Sequence, residues 1–258
     1  MLLAIDSGNT NTVFAVFDDE GAILGEWRSS TNINRTADEI GVWLAQLMAL
    51  NGIDRENITA SIIASVVPAT LFNLRTLCRK YFGCQALVIG SPDVDIGAKV
   101  LVDHPDEVGA DRLVNAVGAY NEYGGPMIVV DFGTATTFDV IDQDGNYIGG
   151  VIAPGVNLSL EALHLASAQL PRVAIGRPDR VIGKGTVQAM RSGIFWGYVS
   201  MIEGMVARIR HEADSNMDVI ATGGLAQLFT DCTPVLKWSD PDLTLKGLLA
   251  IHRRNSKR

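Results

Sequence analysis

Long apolar runs are absent from this chain: no stretch approaches the roughly 18 to 20 residues that a membrane span requires. The first residues lead into an acidic, glycine-bearing turn instead of a cleavable apolar leader, so a cytoplasmic protein with no membrane partner is expected. Cysteine is scarce. Cys78, Cys84 and Cys232 are odd in number and lack CxxC spacing, which excludes a disulfide framework and a zinc site and leaves reduced thiols. The histidines stand far apart, at 104, 164, 211 and 252, without the close pairing of a helical metal site. Basic residues are outnumbered 21 to 29, and the net charge of −8 argues against a polyanion, so no nucleic-acid partner is expected. The one basic cluster, His252 to Arg258, reads as a frayed, solvated terminus. At 47% hydrophobic and 19% charged residues, the 258-residue chain has the composition of a folded protein of one large or two small domains.

What is present is a duplication. Asp6-Ser7-Gly8-Asn9-Thr10-Asn11-Thr12 is echoed by Asp131-Phe132-Gly133-Thr134-Ala135-Thr136-Thr137. At an offset of 125, Asp6, Gly8, Thr12 and Asp19 fall on Asp131, Gly133, Thr137 and Asp144; after a one-residue slip, Gly21 and Leu24-Gly25 fall on Gly145 and Ile148-Gly149. Each copy reads as three antiparallel strands joined by tight turns. Between the copies the period becomes helical over Ala37 to Leu50 and around Leu71 to Cys78, with strands at Ile58 to Val67 and Ala86 to Ile89. Beyond the second copy, Leu158 to Ser167 and Val187 to His211 read as helices, the latter interrupted by Gly193, Gly197 and Gly204, and Val219 to Ala221 reads as a late strand. Two like halves of mixed strands and helices predict α/β domains with helices packed on a central sheet.

A strand-to-strand turn carrying glycine with Thr, Asn or Ser offers an array of N–H and hydroxyl donors, the chemistry of an anion site such as phosphate. The leading Asp does not suit direct phosphate contact, but it suits a cation that rides on phosphates. Asp6 and Asp131 equally suit Asx-turns that need no ligand. Gly183-Lys184-Gly185-Thr186 fails as a Walker A loop, since a glycine separates Lys from Thr, and no early GxGxxG opens a helix. Gly109-Ala110-Asp111-Arg112 stands before apolar residues at helical spacing. Asp111 there could offset a helix dipole; paired with Arg112 it also supplies what phosphoryl transfer to an alcohol needs, a carboxylate for the hydroxyl proton and a guanidinium for an anion.

Asp6-Ser7-Gly8-Asn9-Thr10, Gly109-Ala110-Asp111-Arg112, Asp131 to Thr137, Gly149-Gly150 and Pro154-Gly155 stand in the order and spacing of the type III pantothenate kinases, and the chain resembles that family from Leu2 to about Gly247. The resemblance implies two ribonuclease-H-like domains, expected at 1–115 and 116–258, with ATP in an interdomain cleft and pantothenate as phosphate acceptor. Carried over residue by residue, it implies ATP contacts at Asp6, Ser7, Gly8, Asn9, Thr10, Asn11, Thr12, Val13 and Thr134. It implies Mg²⁺ organised by Asp6 through water, and a monovalent cation, K⁺ or NH₄⁺, at Asp131. Asp111 becomes the catalytic base, Gly109, Ala110, Asp111 and Arg112 line the pantothenate pocket, and Thr186 reaches pantothenate across a homodimer interface. Gly223 and Gly224 fall where relatives pass close to the adenosine. The chain departs from many relatives at Val102, where they place an aromatic residue. Three rivals stand beside this expectation: a non-catalytic accessory factor influencing transcription, a kinase or phosphatase of another small molecule on the same scaffold, and a nucleotide-responsive structural protein of the actin type, for whose extra subdomains 258 residues leave little room.

Overall fold

The structure, a computed structural model, describes residues 1–167 and 170–256. The chain divides into two compact units, the first built from Met1–Glu122 together with the C-terminal segment from Leu243, the second from Tyr123–Asp242. The boundary expected after residue 115 falls instead inside a helix, and the C-terminal helix returns to the first unit.

In the first unit, β1 (Leu2–Ser7), β2 (Asn11–Phe17) and β3 (Ile23–Ser30) form the antiparallel meander read from the sequence. β4 (Ala60–Ser65) and β5 (Ala86–Val88) join it in parallel, in the order β3-β2-β1-β4-β5. Strand alternation assigns the two faces. Leu3 and Ile5 point into a core with α1 (Ala37–Leu50) and α2 (Pro68–Phe82). Leu2 and Ala4 point into a second core with α3 (Ala110–Tyr123) and α7, the C-terminal helix Leu243–Asn255. α1 opens on a capping box in which Thr36 and Glu39 satisfy each other's backbone N–H groups, and α2 closes on Gly83 in the left-handed region.

The second unit repeats the plan with β6 (Met127–Phe132), β7 (Ala135–Ile141), β8 (Tyr147–Pro154), β9 (Asp218–Gly223) and β10 (Trp238–Ser239), ordered β8-β7-β6-β9-β10. One face packs on α4 (Val156–Leu165), α5 (Thr186–Glu212) and α6 (Ala226–Thr230), around Phe132, Phe138, Phe195 and Phe229. α5 runs unbroken through Gly193, Gly197 and Gly204, contrary to the interruption expected there; the cost of about 1 kcal/mol per helical glycine is overcome by its buried face at Phe195, Val199, Ile202 and Val206.

The register corrects the alignment of the two copies. The Gly8 N–H donates to Asn11 O and the Gly133 N–H to Ala135 O, each at 3.0 Å, so the first turn is one residue longer and the slip lies inside it. From there the offset is 124: Asp6 pairs with Val13 and Asp131 with Thr137, and β-bulges fall at Val16/Phe17 and Val140/Ile141. Thr12 therefore matches Thr136, not Thr137, and Asp18, which accepts from the Gly21 and Ala22 N–H groups, matches Asp142, which accepts from those of Asp144 and Asn146.

The basic C-terminal cluster is no frayed tail over His252–Asn255. Arg253 donates to the Asp19 and Glu20 carbonyls, and Arg254 pairs with Asp95 at 2.8 Å; Lys257 and Arg258 lie outside the described residues. Among the described residues, no helix is long and apolar enough to cross a membrane. Cys78 and Cys84 are buried and free, and burial pushes the Cys78 thiol up to about 12.

α3 and α7 cross at backbone contact. A Cβ on Gly247 would run into the Val114 carbonyl, and one on Gly118 into the Leu243 carbonyl. Because backbone cannot give way as a side-chain tip can, Gly247→Ala is expected to destabilise the protein by about 1–3 kcal/mol. A lowered urea midpoint at unchanged m-value is the measurement that checks it.

Candidate active site

The acid-led turns stand at the ends of the central strands, where one residue of each pair, Asp6 and Asp131, lies half-buried. Alternation puts Asp6 on the face covered by α3, and Ser7 on the opposite face toward α2. In the first turn, Gly8, Thr10 and Asn11 lie at or near the surface, whereas Ser7 and Thr12 are buried and Val13 joins the α3-side core. Their hydroxyls form a chain: Thr31 to Thr12 at 2.9 Å, Thr12 to Ser7 at 3.3 Å, Ser7 to Thr70 at 3.2 Å.

The Gly109–Arg112 element meets this turn through a residue that sequence reading did not single out. Val66 donates its N–H to Ser7 O at 3.1 Å, and a Cβ on Gly109 would touch Val66 Cγ1. α3 begins at Ala110, so Asp111 lies in its first turn, as expected. Its Oδ1 accepts from the Arg112 N–H at 2.8 Å and rests so close over Gly109 that any side chain there would displace it. Burial raises the Asp111 carboxyl above its ordinary value, against the smaller opposing pull of the Arg112 N–H and guanidinium. Val102, half-buried, precedes a short 3₁₀ turn, Pro105–Glu107, that leads into this element.

In the second unit, Asp131, Gly133, Thr134, Gly155 and Gly223 come together. Gly223, at φ 88°, brings its backbone against Asp131 Oδ1 and the Phe132 carbonyl, and Gly155 packs on the Gly133 and Thr134 carbonyls; neither has room for a Cβ. Thr134 and Gly224 are exposed. Thr186 stands apart from this group as the exposed first residue of α5. Further residues missed by sequence reading are Asp139 and Tyr147. Asp139 is fully buried and accepts from Thr137 Oγ1 and the Tyr147 hydroxyl, each at 3.1 Å.

No group of three or more His, Cys, Asp or Glu residues suited to a metal ion occurs among the described residues. A caged metal is thus not what these residues fit. A divalent ion that keeps several waters and binds through one carboxylate and substrate phosphates fits the single acid at the head of the turn.

Two units of one strand order, each ending its central strand in an acid and a glycine turn, define the class: a two-domain α/β protein of the fold that sugar kinases use, ribonuclease-H-like in each half. A Sinorhizobium meliloti protein described as a 2-dehydro-3-deoxygalactonokinase superposes with a TM-score of 0.62 at 14% identity, covering 98% of this chain and 96% of that one. A Campylobacter jejuni protein described as a Baf family transcriptional activator does so with a TM-score of 0.63 at 20% identity, covering 99% and 100%. At such identities the likeness shows the fold alone. The sequence narrows the class further. The model of the family "Type III pantothenate kinase" matches residues 2–208, and a type III pantothenate kinase of Rhodospirillum rubrum is 68% identical over 255 residues, 99% of either chain. The chain belongs to the type III pantothenate kinase family.

The two turns differ in a way stability measurements can read. Thr12 Oγ1 has partners at Thr31 and Ser7, whereas its counterpart Thr136 Oγ1 is buried without a hydrogen-bond partner. Removing a partnered hydroxyl strands its neighbours, while removing an unpartnered one relieves a desolvation cost. Thr12→Val is expected to lower unfolding free energy by about 1–3 kcal/mol and Thr136→Val to leave it unchanged or raise it, as read by urea denaturation.

Proposed function

We propose that this chain transfers the γ-phosphate of ATP to the primary hydroxyl of pantothenate, giving ADP and 4'-phosphopantothenate, the first step of coenzyme A synthesis. The observation that carries the mechanism is Asp111: a half-buried carboxylate over Gly109, on the first turn of α3, with its proton affinity raised. Such a group takes the pantothenate hydroxyl proton as the oxygen attacks phosphorus and the bridging oxygen leaves with ADP. Gly109, Ala110 and Arg112 line the acceptor pocket, the guanidinium holding the pantothenate carboxylate.

The donors of Ser7 to Val13 cradle the ATP phosphates, and Thr134 adds a contact from the second turn. Asp6 orients a divalent ion, Mg²⁺, through water; when bound, the ion supplies charge neutralisation on the phosphates. Asp131, seated against Gly223, holds a monovalent cation, K⁺ or NH₄⁺, which offsets negative charge in a chain of net −8. Gly223 and Gly224 run beside the adenosine. The protein works as a homodimer in which Thr186 reaches pantothenate; the exposed apolar residues around it, Val181, Ile182 and Val187, support a second copy there. Both substrates are charged, water-soluble metabolites, and the reaction is placed in the cytoplasm.

The deciding assay is ATP-dependent phosphorylation of pantothenate by purified protein with Mg²⁺, in matched buffers containing K⁺ or only Na⁺. Product that depends on K⁺ is expected; no product in either buffer from protein that binds ATP would overturn the reading. Asp111→Asn is expected to keep ATP affinity while losing about a hundred- to ten-thousand-fold in turnover. Retention of turnover within threefold would remove Asp111 as base. The same variant carries a stability signature. Since folding raises the Asp111 pKa, its protonated form stabilises the fold at low pH, and that contribution is lost as pH rises through the folded value. Asp111→Asn should therefore melt no lower than wild type at pH 7, with its advantage shrinking as the pH falls.

A further inference from the structure

We infer that Thr31, a residue outside the glycine turn, is the positioning residue that holds the turn in its nucleotide-binding shape. Thr31 follows β3 directly, and it makes three bonds to the turn. Its N–H donates to Thr10 O at 2.9 Å, its hydroxyl donates to Gly8 O at 2.7 Å, and its Oγ1 lies 2.9 Å from Thr12 Oγ1. The proton count fixes the direction. Gly8 O can only accept, so the Thr31 hydroxyl proton is committed to it, and Thr12 must donate to Thr31. The Gly8 and Thr10 carbonyls, which a phosphate would repel, are thereby both engaged by Thr31.

Beside Thr12 lies a small pocket walled by core side chains, Phe14, Ile40 and Leu74, and by polar ones, Ser29, Asn32 and Asn73, so hydrogen bonds hold the turn together with packing. The second copy shows what happens without the hydroxyl. At the offset of 124, Thr31 corresponds to Gly155, which has no side chain and packs directly on the Gly133 and Thr134 carbonyls, closing a turn one residue shorter. There Thr136 Oγ1 is left without a partner. The longer first turn thus has a strut that the shorter one replaces by contact.

This inference rests on the reading that the Ser7–Val13 turn holds ATP phosphates, and the experiment separates the two. Thr31→Val, Thr31→Ser and Thr31→Cys are compared with wild type in titrations with a non-hydrolysable ATP analogue, in steady-state kinetics and in thermal melts, beside a Gly8→Val control. Thr31→Val should weaken the analogue and raise the KM for ATP about tenfold, with the KM for pantothenate within twofold of wild type. Thr31→Ser should restore both, and Thr31→Cys, close in size with a weaker donor, gives the same ordering if the valine variant does not fold. Unchanged nucleotide affinity in Thr31→Val, or equal loss of both substrates together with a lowered melting temperature, would overturn the strut. If Gly8→Val also leaves the nucleotide untouched, the turn itself is not the phosphate site and the underlying reading falls with it.

Discussion

A turn of backbone that offers its N–H groups to an anion cannot also turn its own carbonyls to that side, so the proposal that the first turn holds phosphate depends on where those carbonyls go. In the first unit they are taken up from behind by Thr31, which stands at the far end of a strand that exists to return the chain to the turn. The meander of β1, β2 and β3 is therefore more than a sheet edge. Its register, with Asp6 opposite Val13 and Asn11 opposite Ser30, delivers an acid, a glycine turn and a supporting hydroxyl to one place.

The same meander occurs twice, and the copies differ in detail. The first turn has an extra residue, a hydroxyl chain and, through Val66, a neighbour in Gly109, just ahead of the helix that carries Asp111. The second is tighter, with Gly155 and Gly223 pressed on it and Asp139 buried behind with Thr137 and Tyr147. Position 139 corresponds to Ala15 in the first copy at the offset of 124, so a buried apolar site in one half has become a buried carboxylate in the other. Two sheets of one plan thus carry different electrostatics where the sequence alone shows only similar motifs.

Much of the fold was legible because it rests on local signals. Short apolar runs ending in acidic turns marked the meanders, the helical period gave α1 at its observed limits, and the Asp–Gly motifs marked the ends of the central strands. What escaped reading depends on contacts between distant residues. The C-terminal helix carries basic residues that look solvated in sequence, yet Arg253 and Arg254 tie it to backbone and to Asp95 more than 150 residues away. The slip inside the first turn was placed too late because Thr12 and Thr137 match by letter, whereas the register pairs residues by backbone hydrogen bonds. The acid, the glycines and the Gly109–Arg112 element were visible as motifs; Thr31, Val66 and Asp139 were not, since a lone threonine, valine or aspartate carries no pattern.

The return of α7 to the first unit makes that unit discontinuous, with the whole of the second inserted between α3 and the last helix. Leu245, Leu248 and Ile251 belong to the core that also holds Leu2, Ala4, Val114 and Val117. Since α7 follows the whole of the second unit in the chain, one face of the first sheet has α3 but lacks this second helix until that unit has been synthesised, and its core closes late.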